Sequence, residues 1–164
     1  MSRILRLIYV IFVVVQGCER LLVWVARFGF LIYPLYGIVS WFMTSRKERV
    51  RKRAALAEAL FSVLAASSVS LLIRCIWHRP RPFTRGRTAR ITHGDNASFP
   101  SNHTLNAVAA AFSLILSRQS GGKRLLWWAL LQGLSRVFAG VHYTSDIIGS
   151  AVLAACCAAW VHSS

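Results

Sequence analysis

Apolar residues in this chain come in long runs separated by short basic or proline-containing stretches, a pattern that predicts helices at or near bilayer length. Ala54 to Trp77 is one run, with Glu58 and Arg74 as its only charged residues, and it ends where Pro80 and Pro82 stop a helix. Asn102 to Ser117 is the next, followed by the polar turn Arg118-Gln119-Ser120-Gly121-Gly122-Lys123-Arg124. Leu125 to Ala139 and Thr144 to Val161 complete the C-terminal part. Leu21 to Met43 is long enough to span a bilayer, which needs roughly 20 helical residues. Ile4 to Val15 is shorter: it is either a first span extended through its flanks or an amphipathic helix lying in the interface. The pattern predicts an all-α, polytopic membrane bundle of about six transmembrane helices, or five if the first run stays at the surface.

The length, 164 residues, fits a single domain over 1–164. A hydrophobic share of 55% is near that of soluble domains, so the clustering of those residues, more than their number, makes this a membrane chain. The net charge of +15 changes the picture less than it would in a soluble protein. The basic residues sit in loops, Arg46-Lys47-Glu48-Arg49-Val50-Arg51-Lys52-Arg53 above all, and suit anionic lipid headgroups; no nucleic-acid partner is expected. Cys18, Cys75, Cys156 and Cys157 have no ligand-like spacing and read as small packing residues. No cleavable signal peptide is evident. Arg3, Arg6, the Arg46–Arg53 run, Arg118, Lys123 and Arg124 fall on one side. Arg20, Arg27, Arg74, Arg79, Arg81, Arg85, Arg87, Arg90 and Arg136 fall on the other. The first group is only modestly larger, but if the second binds phosphate, the first side is cytoplasmic.

Three stretches place costly polar groups at one edge of the apolar helices. In the third, His142 and Asp146 are four apart and share a face if a helix begins there. A carboxylate on one imidazole nitrogen fixes the tautomer and leaves the other as a nucleophile, although Asp146 also reads as an ordinary helix-start acid. In the second, Pro100-Ser101-Asn102-His103, Ser101 or Asn102 can cap a helix whose free N–H groups make an anion site, with His103 at its mouth as a general acid. An N-cap followed by an exposed histidine is the plainer reading. The first stretch supplies Arg74 and Arg81, and Arg136 joins them from the third; guanidinium groups bind phosphate oxygens in pairs of hydrogen bonds. Arg79, Arg85, Arg87 and Arg90 read as a loop solvated by lipid headgroups.

Together the stretches resemble the type-2 phosphatidic-acid phosphatase superfamily, whose pattern is K-x6-R-P, then P-S-G-H, then S-R-x5-H-x3-D. Arg74 with Arg81-Pro82, Pro100-Ser101-Asn102-His103, and Ser135-Arg136 with His142 and Asp146 match it in order and spacing. Arg74 stands where the pattern has Lys, and Asn102 where it has Gly; Asn tolerates the left-handed conformation better than most residues. His78-Arg79-Pro80-Arg81-Pro82-Phe83 and Asp95 through His103 are most similar to bacitracin-resistance-type undecaprenyl-diphosphatases. The resemblance implies that His142, oriented by Asp146, attacks phosphorus and forms a phosphohistidine. His103 then protonates the leaving oxygen and activates water. Arg74, Arg81, Ser101, the Asn102 backbone and Arg136 hold the phosphoryl oxygens, and the mechanism needs no metal or other cofactor. His78, His93 and Asp95 have no assigned role.

The expected function is therefore hydrolysis of undecaprenyl diphosphate to undecaprenyl phosphate and phosphate, recycling the carrier lipid for cell-wall synthesis. The expected location is the bacterial cytoplasmic membrane, multi-pass, with the site facing the periplasm or outside. Phosphatidylglycerophosphate, phosphatidate or a lipid A phosphate are alternative substrates, and a non-catalytic lipid-phosphate-binding protein is the alternative from another class. Binding alone would not require His103, His142 and Asp146. A transporter would place its polar residues nearer mid-depth.

Overall fold

The computed structural model describes residues 3–164, with side chains from Val14 onward, so Arg3 and Arg6 lie outside the described side chains. Among the described residues the six α-helices are α1 (Arg3–Phe28), α2 (Ile32–Met43), α3 (Arg49–Ile76), α4 (Asn102–Leu116), α5 (Gly122–Phe138) and α6 (Thr144–Ser163). Short 3-10 turns occupy Gly29–Leu31 and Pro82–Arg85. Among the described residues three segments are long and apolar enough to cross a bilayer: Val14–Met43, Arg49–Ile76 and Thr144–Ser163.

The N-terminal third departs from the expected runs. The two apolar stretches on either side of Gln16-Gly17-Cys18-Glu19-Arg20 form one continuous helix, α1, and the break falls later, at Gly29–Leu31. Pro34 explains the position. It has no N–H for the Phe30 carbonyl, and its ring crowds that carbonyl, so a helix can hold Pro34 only in its first turn. The Gly29 carbonyl released at the break accepts the Trp128 indole N–H at 2.7 Å. Among the described side chains of α1, those of its last turns pack. Val25 and Ala26 are buried, Ala26 in a cluster with Ala139 and Val141, whereas residues 14–21 are exposed.

Helix α4 lies at the centre, packed against α3, α5 and α6. At 15 residues it rises about 22 Å, and that shortness is compatible with its place, since a helix enclosed by others need not match the hydrocarbon thickness. Small residues allow the close approach: Ala107, Val108 and Ala109 meet Ala66, Ala129 and Ala154 in one buried cluster. Gly133 on α5 is part of the same fit, because a Cβ there would lie 2.6 Å from the Ile147 side chain and 3.3 Å from Thr104. Gly133→Ala is therefore expected to lower the thermal midpoint in detergent, with a cost of about 1–3 kcal/mol for overpacking. An unchanged midpoint would show that α5 and α6 can part at little expense.

Candidate active site

The three polar stretches meet at one end of the bundle, where the α3–α4 loop folds over the start of α6. Helix α6 begins at Thr144, so His142 lies two residues ahead of it, in the short α5–α6 loop. That loop turns at Gly140 (φ 75°), where a Cβ would also lie 2.3 Å from the Thr88 carbonyl oxygen, so only glycine fits. His142 is almost fully buried, at 3% exposure. Its Nδ1 faces Asp146 Oδ2 at 3.7 Å, an ion-pair separation longer than a hydrogen bond, so the carboxylate acts on the ring mainly through charge. Its Nε2 lies 3.3 Å from Arg81 Nη1; a guanidinium only donates, which makes Nε2 the acceptor and leaves the ring proton on Nδ1.

Asp146 is fixed by three other donors. Ser98 Oγ–H donates to Oδ2 at 2.6 Å, the Tyr143 backbone N–H donates to the same oxygen at 2.9 Å, and Arg79 Nη1 donates to Oδ1 at 2.5 Å. The bond to Tyr143 is helix-start capping, so the plainer reading of Asp146 also holds. Arg79 was expected to be a solvated loop residue. Instead it neutralises the buried carboxylate, reaches Ser145 Oγ at 3.0 Å and stacks over the Tyr143 ring at 4.5 Å. Nothing in the spacing of Arg79-Pro80-Arg81 marks it, because the irregular backbone of the loop sets the contact. Arg85 and Arg87 are exposed, as expected of a solvated loop, whereas Arg90, though exposed, donates to the Phe138 carbonyl at 3.0 Å and stacks over the Phe138 ring.

The phosphate-binding candidates divide by how their donors are used. Arg81, 1% exposed, is committed within the protein: Nε donates to Asn96 O at 2.8 Å, Nη1 to Val141 O at 2.8 Å, and Nη2 to Asn96 Oδ1 at 2.5 Å and Ala97 O at 3.2 Å. It ties the α3–α4 loop to the His142 loop, a tie the sequence pattern did not reveal. Arg136, 3% exposed, donates from Nη1 to Ala26 O at 3.0 Å, while its Nε and Nη2 make no hydrogen bond among the described residues. Arg74 donates from Nη2 to Pro100 O at 2.5 Å, and its buried Nε is likewise unpaired among the described residues.

Ser101 is the N-cap residue of α4 but makes no side-chain capping bond; its Oγ lies 3.3 Å from Thr104 Oγ1, and its backbone N–H donates to Ser150 Oγ at 2.8 Å. Asn102 is the first helical residue and is not left-handed, so the tolerance invoked for Asn in place of Gly is not needed. Its Oδ1 accepts the Ser70 hydroxyl at 2.7 Å, which pins α3 to the start of α4, and its backbone N–H belongs to the helix's free first turn. His103 packs edge-on against Phe30, with centroids 5.5 Å apart, and lies within electrostatic reach of Arg136, His142, His93 and Arg81.

Burial, with Arg81 and Arg136 adding and Asp146 opposing, lowers the His142 pKa to about 4. Burial and the charges of Arg136 and Arg74 bring Arg81 down to about 10, which leaves it charged at neutral pH. The His142 ring is thus neutral at pH 7, as a nitrogen nucleophile must be. Unfolded histidine takes its proton near 6.5, so between that pH and about 4 the unfolded chain binds more protons. This group's stabilisation is therefore complete above about 6.5 and is lost as the pH falls towards 4. Ring-labelled NMR in detergent is expected to show His142 titrating near 4; a midpoint near 6.5 would contradict the buried, charge-flanked site.

The comparisons with known proteins fit this geometry. The PAP2 superfamily profile matches residues 55–164, which contain every one of these site residues. Undecaprenyl-diphosphatase BcrC of Bacillus subtilis is 28% identical over 137 residues, covering 83% of this chain and 69% of that protein. Decaprenylphosphoryl-5-phosphoribose phosphatase of Mycobacterium tuberculosis is 29% identical over 135 residues, covering 82% and 71%. Among solved structures, LpxE of Aquifex aeolicus superposes with a TM-score of 0.69 at 19% identity, covering 92% of this chain and 87% of its own. The PAP2-type phosphatidylglycerolphosphate phosphatase of Bacillus subtilis gives 0.62 at 21% identity, covering 91% and 75%. These two likenesses are of fold. With two-thirds of its length matched and all three motifs in register, the chain belongs to the PAP2 superfamily and is a membrane phosphatase of that group.

Proposed function

We propose that this phosphatase hydrolyses undecaprenyl diphosphate at the outer face of the bacterial cytoplasmic membrane, releasing undecaprenyl phosphate and inorganic phosphate. One observation carries the reading: the buried Arg136 guanidinium, whose charge acts on His142, leaves Nε and Nη2 unpaired among the described residues, and an apolar groove ends at His103 and Asn102. Unpaired buried cationic donors call for an anion, since each one left without a partner costs more than a neutral group would. The groove begins as a cavity of about 300 Å³ lined by Phe30, Tyr33, Asn102 and His103. Through Tyr33, Pro34, Val63 and Ala110 it joins an apolar cavity of about 710 Å³ that extends between α2 and α3 to Trp41 and Phe42. A prenyl chain can lie there while its diphosphate meets the arginines.

Chemistry follows in two displacements. Nε2 of His142 attacks the terminal phosphorus; an N–P bond forms, the bond from phosphorus to the bridging oxygen breaks, and His103 donates a proton to that oxygen as lipid phosphate leaves. The positive charge growing on the imidazole is met by Asp146. Water then attacks the phosphohistidine from the side the lipid vacated, His103 accepts its proton, and the N–P bond breaks to release phosphate. Arg136, Arg74, Ser101 and the Asn102 backbone N–H suit the equatorial oxygens, while Arg81 contributes charge and holds the loop.

In this reading residues 19–28 of α1 lie at the outer face. Glu19 pairs with Arg90 at 3.7 Å and Ala26 packs with Val141, so two points about two turns apart both touch the outer loops. The test is phosphate release by the purified protein in detergent with excess EDTA. Undecaprenyl diphosphate, phosphatidylglycerophosphate and phosphatidate are compared, with His142→Ala as control. Fast EDTA-resistant release that favours the prenyl diphosphate is expected. Preference for a glycerolipid would keep the mechanism and overturn the substrate, and no release from any of them would leave a binding protein.

A further inference from the structure

His93, in the loop between α3 and α4, stands directly beside His142. The two rings meet edge-on, with centroids 6.2 Å apart and planes at 81°. Nδ1 of His93 lies 3.1 Å from the Gly94 carbonyl oxygen, and because a carbonyl only accepts, that nitrogen carries the ring proton. Burial lowers the pKa of this ring; the Gly94 carbonyl opposes the shift, and the charges of Arg81, Arg136 and Arg74 add to it. At neutral pH the group facing His142 is therefore an uncharged ring.

The nucleophile needs such a neighbour. Its Nδ1 is 3.7 Å from Asp146 and its Nε2 is 3.3 Å from Arg81, and neither separation is a short hydrogen bond that would lock rotation of the ring. The second torsion of a histidine is broad and has no steep staggered wells of its own. A ring standing edge-on against it supplies the missing restraint, and that arrangement is one aromatic rings prefer. In-line attack makes the orientation matter: the leaving oxygen lies opposite Nε2, so a residue beside His142 stands away from the departing lipid and near the nucleophile itself.

We propose that His93 is a positioning residue, whose ring holds the His142 imidazole with Nε2 aimed at the phosphoryl site. The proposal rests on the reading of His142 as nucleophile. His93→Ala is expected to lower kcat roughly 10- to 100-fold, the scale of a misplacement of about an ångström, with KM changed less than about threefold. His93→Phe, which keeps an aromatic edge without hydrogen bonding, should recover most of kcat, and His93→Asn should not. If Phe is as poor as Ala, or if KM rises and Asn rescues it, His93 contacts substrate and the positioning role is wrong. Lipid turnover by the unsubstituted protein tests the underlying reading separately. Should it hydrolyse no lipid phosphate, ring-labelled NMR still decides the inference. One set of His142 ring signals is expected in the natural protein and in the Phe variant, with doubled or exchange-broadened signals in Ala. A single sharp set in Ala would overturn the inference.

Discussion

His142→Ala is expected to reduce lipid-phosphate hydrolysis by about four orders of magnitude or more, because in the proposed mechanism it removes the covalent nucleophile and leaves only the charge stabilisation around it. Lipid binding should be nearly unchanged, since the groove from Phe30 to Phe42 and the guanidinium donors of Arg136 and Arg74 are untouched. Rapid quenching of the natural protein with radiolabelled terminal phosphate should trap an acid-labile, base-stable phosphoryl group, and peptide mapping should find it on His142. Label on His103 would reverse the two histidine roles, and ordinary turnover by the alanine variant would remove the covalent step altogether. Asp146→Asn should be less severe than His142→Ala. At 3.7 Å the carboxylate orients and neutralises the ring without a short hydrogen bond, but its loss also strands Arg79 beside a neutral amide.

Motif spacing located the candidate residues because they stand at helix ends. His142 and Asp146 flank the start of α6, Ser101 to His103 open α4, Arg74 closes α3 and Arg136 closes α5; four well-defined boundaries fix where those side chains begin. What lies in the irregular α3–α4 loop was not legible. Arg79, Ser98 and Asn96 touch Asp146 or Arg81 only because the loop folds back over α6, and no period or cap in the sequence encodes that path. His93 belongs with them. The same limit explains Arg81, whose place in the pattern suggested phosphate although its donors hold Asn96, Ala97 and Val141.

The helices show the complementary lesson. Hydropathy located α3 to α6 within a few residues because each is bounded by proline, glycine or charge. It misjudged α1 and α2, where a polar patch at Gln16 to Arg20 looked like a boundary. Helices readily tolerate such a patch on one face, whereas Pro34 enforces a break about a turn before itself through a missing donor and a steric clash. For a chain of this kind proline is therefore a firmer boundary than polarity.

Arg136→Met should separate function from stability. The guanidinium is 3% exposed and has one hydrogen bond, to Ala26 O at 3.0 Å, while Nε and Nη2 are unpaired among the described residues. Each buried polar donor left without a partner costs about 1–3 kcal/mol, and more when it carries charge. An unbranched apolar side chain of similar reach removes that cost along with the Ala26 contact, so the thermal midpoint is expected to stay level or rise. Turnover should fall about 10²- to 10³-fold, the loss typical of removing an electrostatic donor from developing transition-state charge. Arg136→Lys should fall between the two, since it retains the charge but not the planar fork. Orthovanadate supplies the linked measurement: an anion that binds only the folded protein raises its midpoint, and this increment should be large for the natural protein and small for the Met variant. A Met variant that melts far earlier would make Arg136 a structural strut between α5 and α1. If that variant instead turned over lipid at the ordinary rate, the phosphoryl oxygens would have to be held by Arg74 and the first turn of α4.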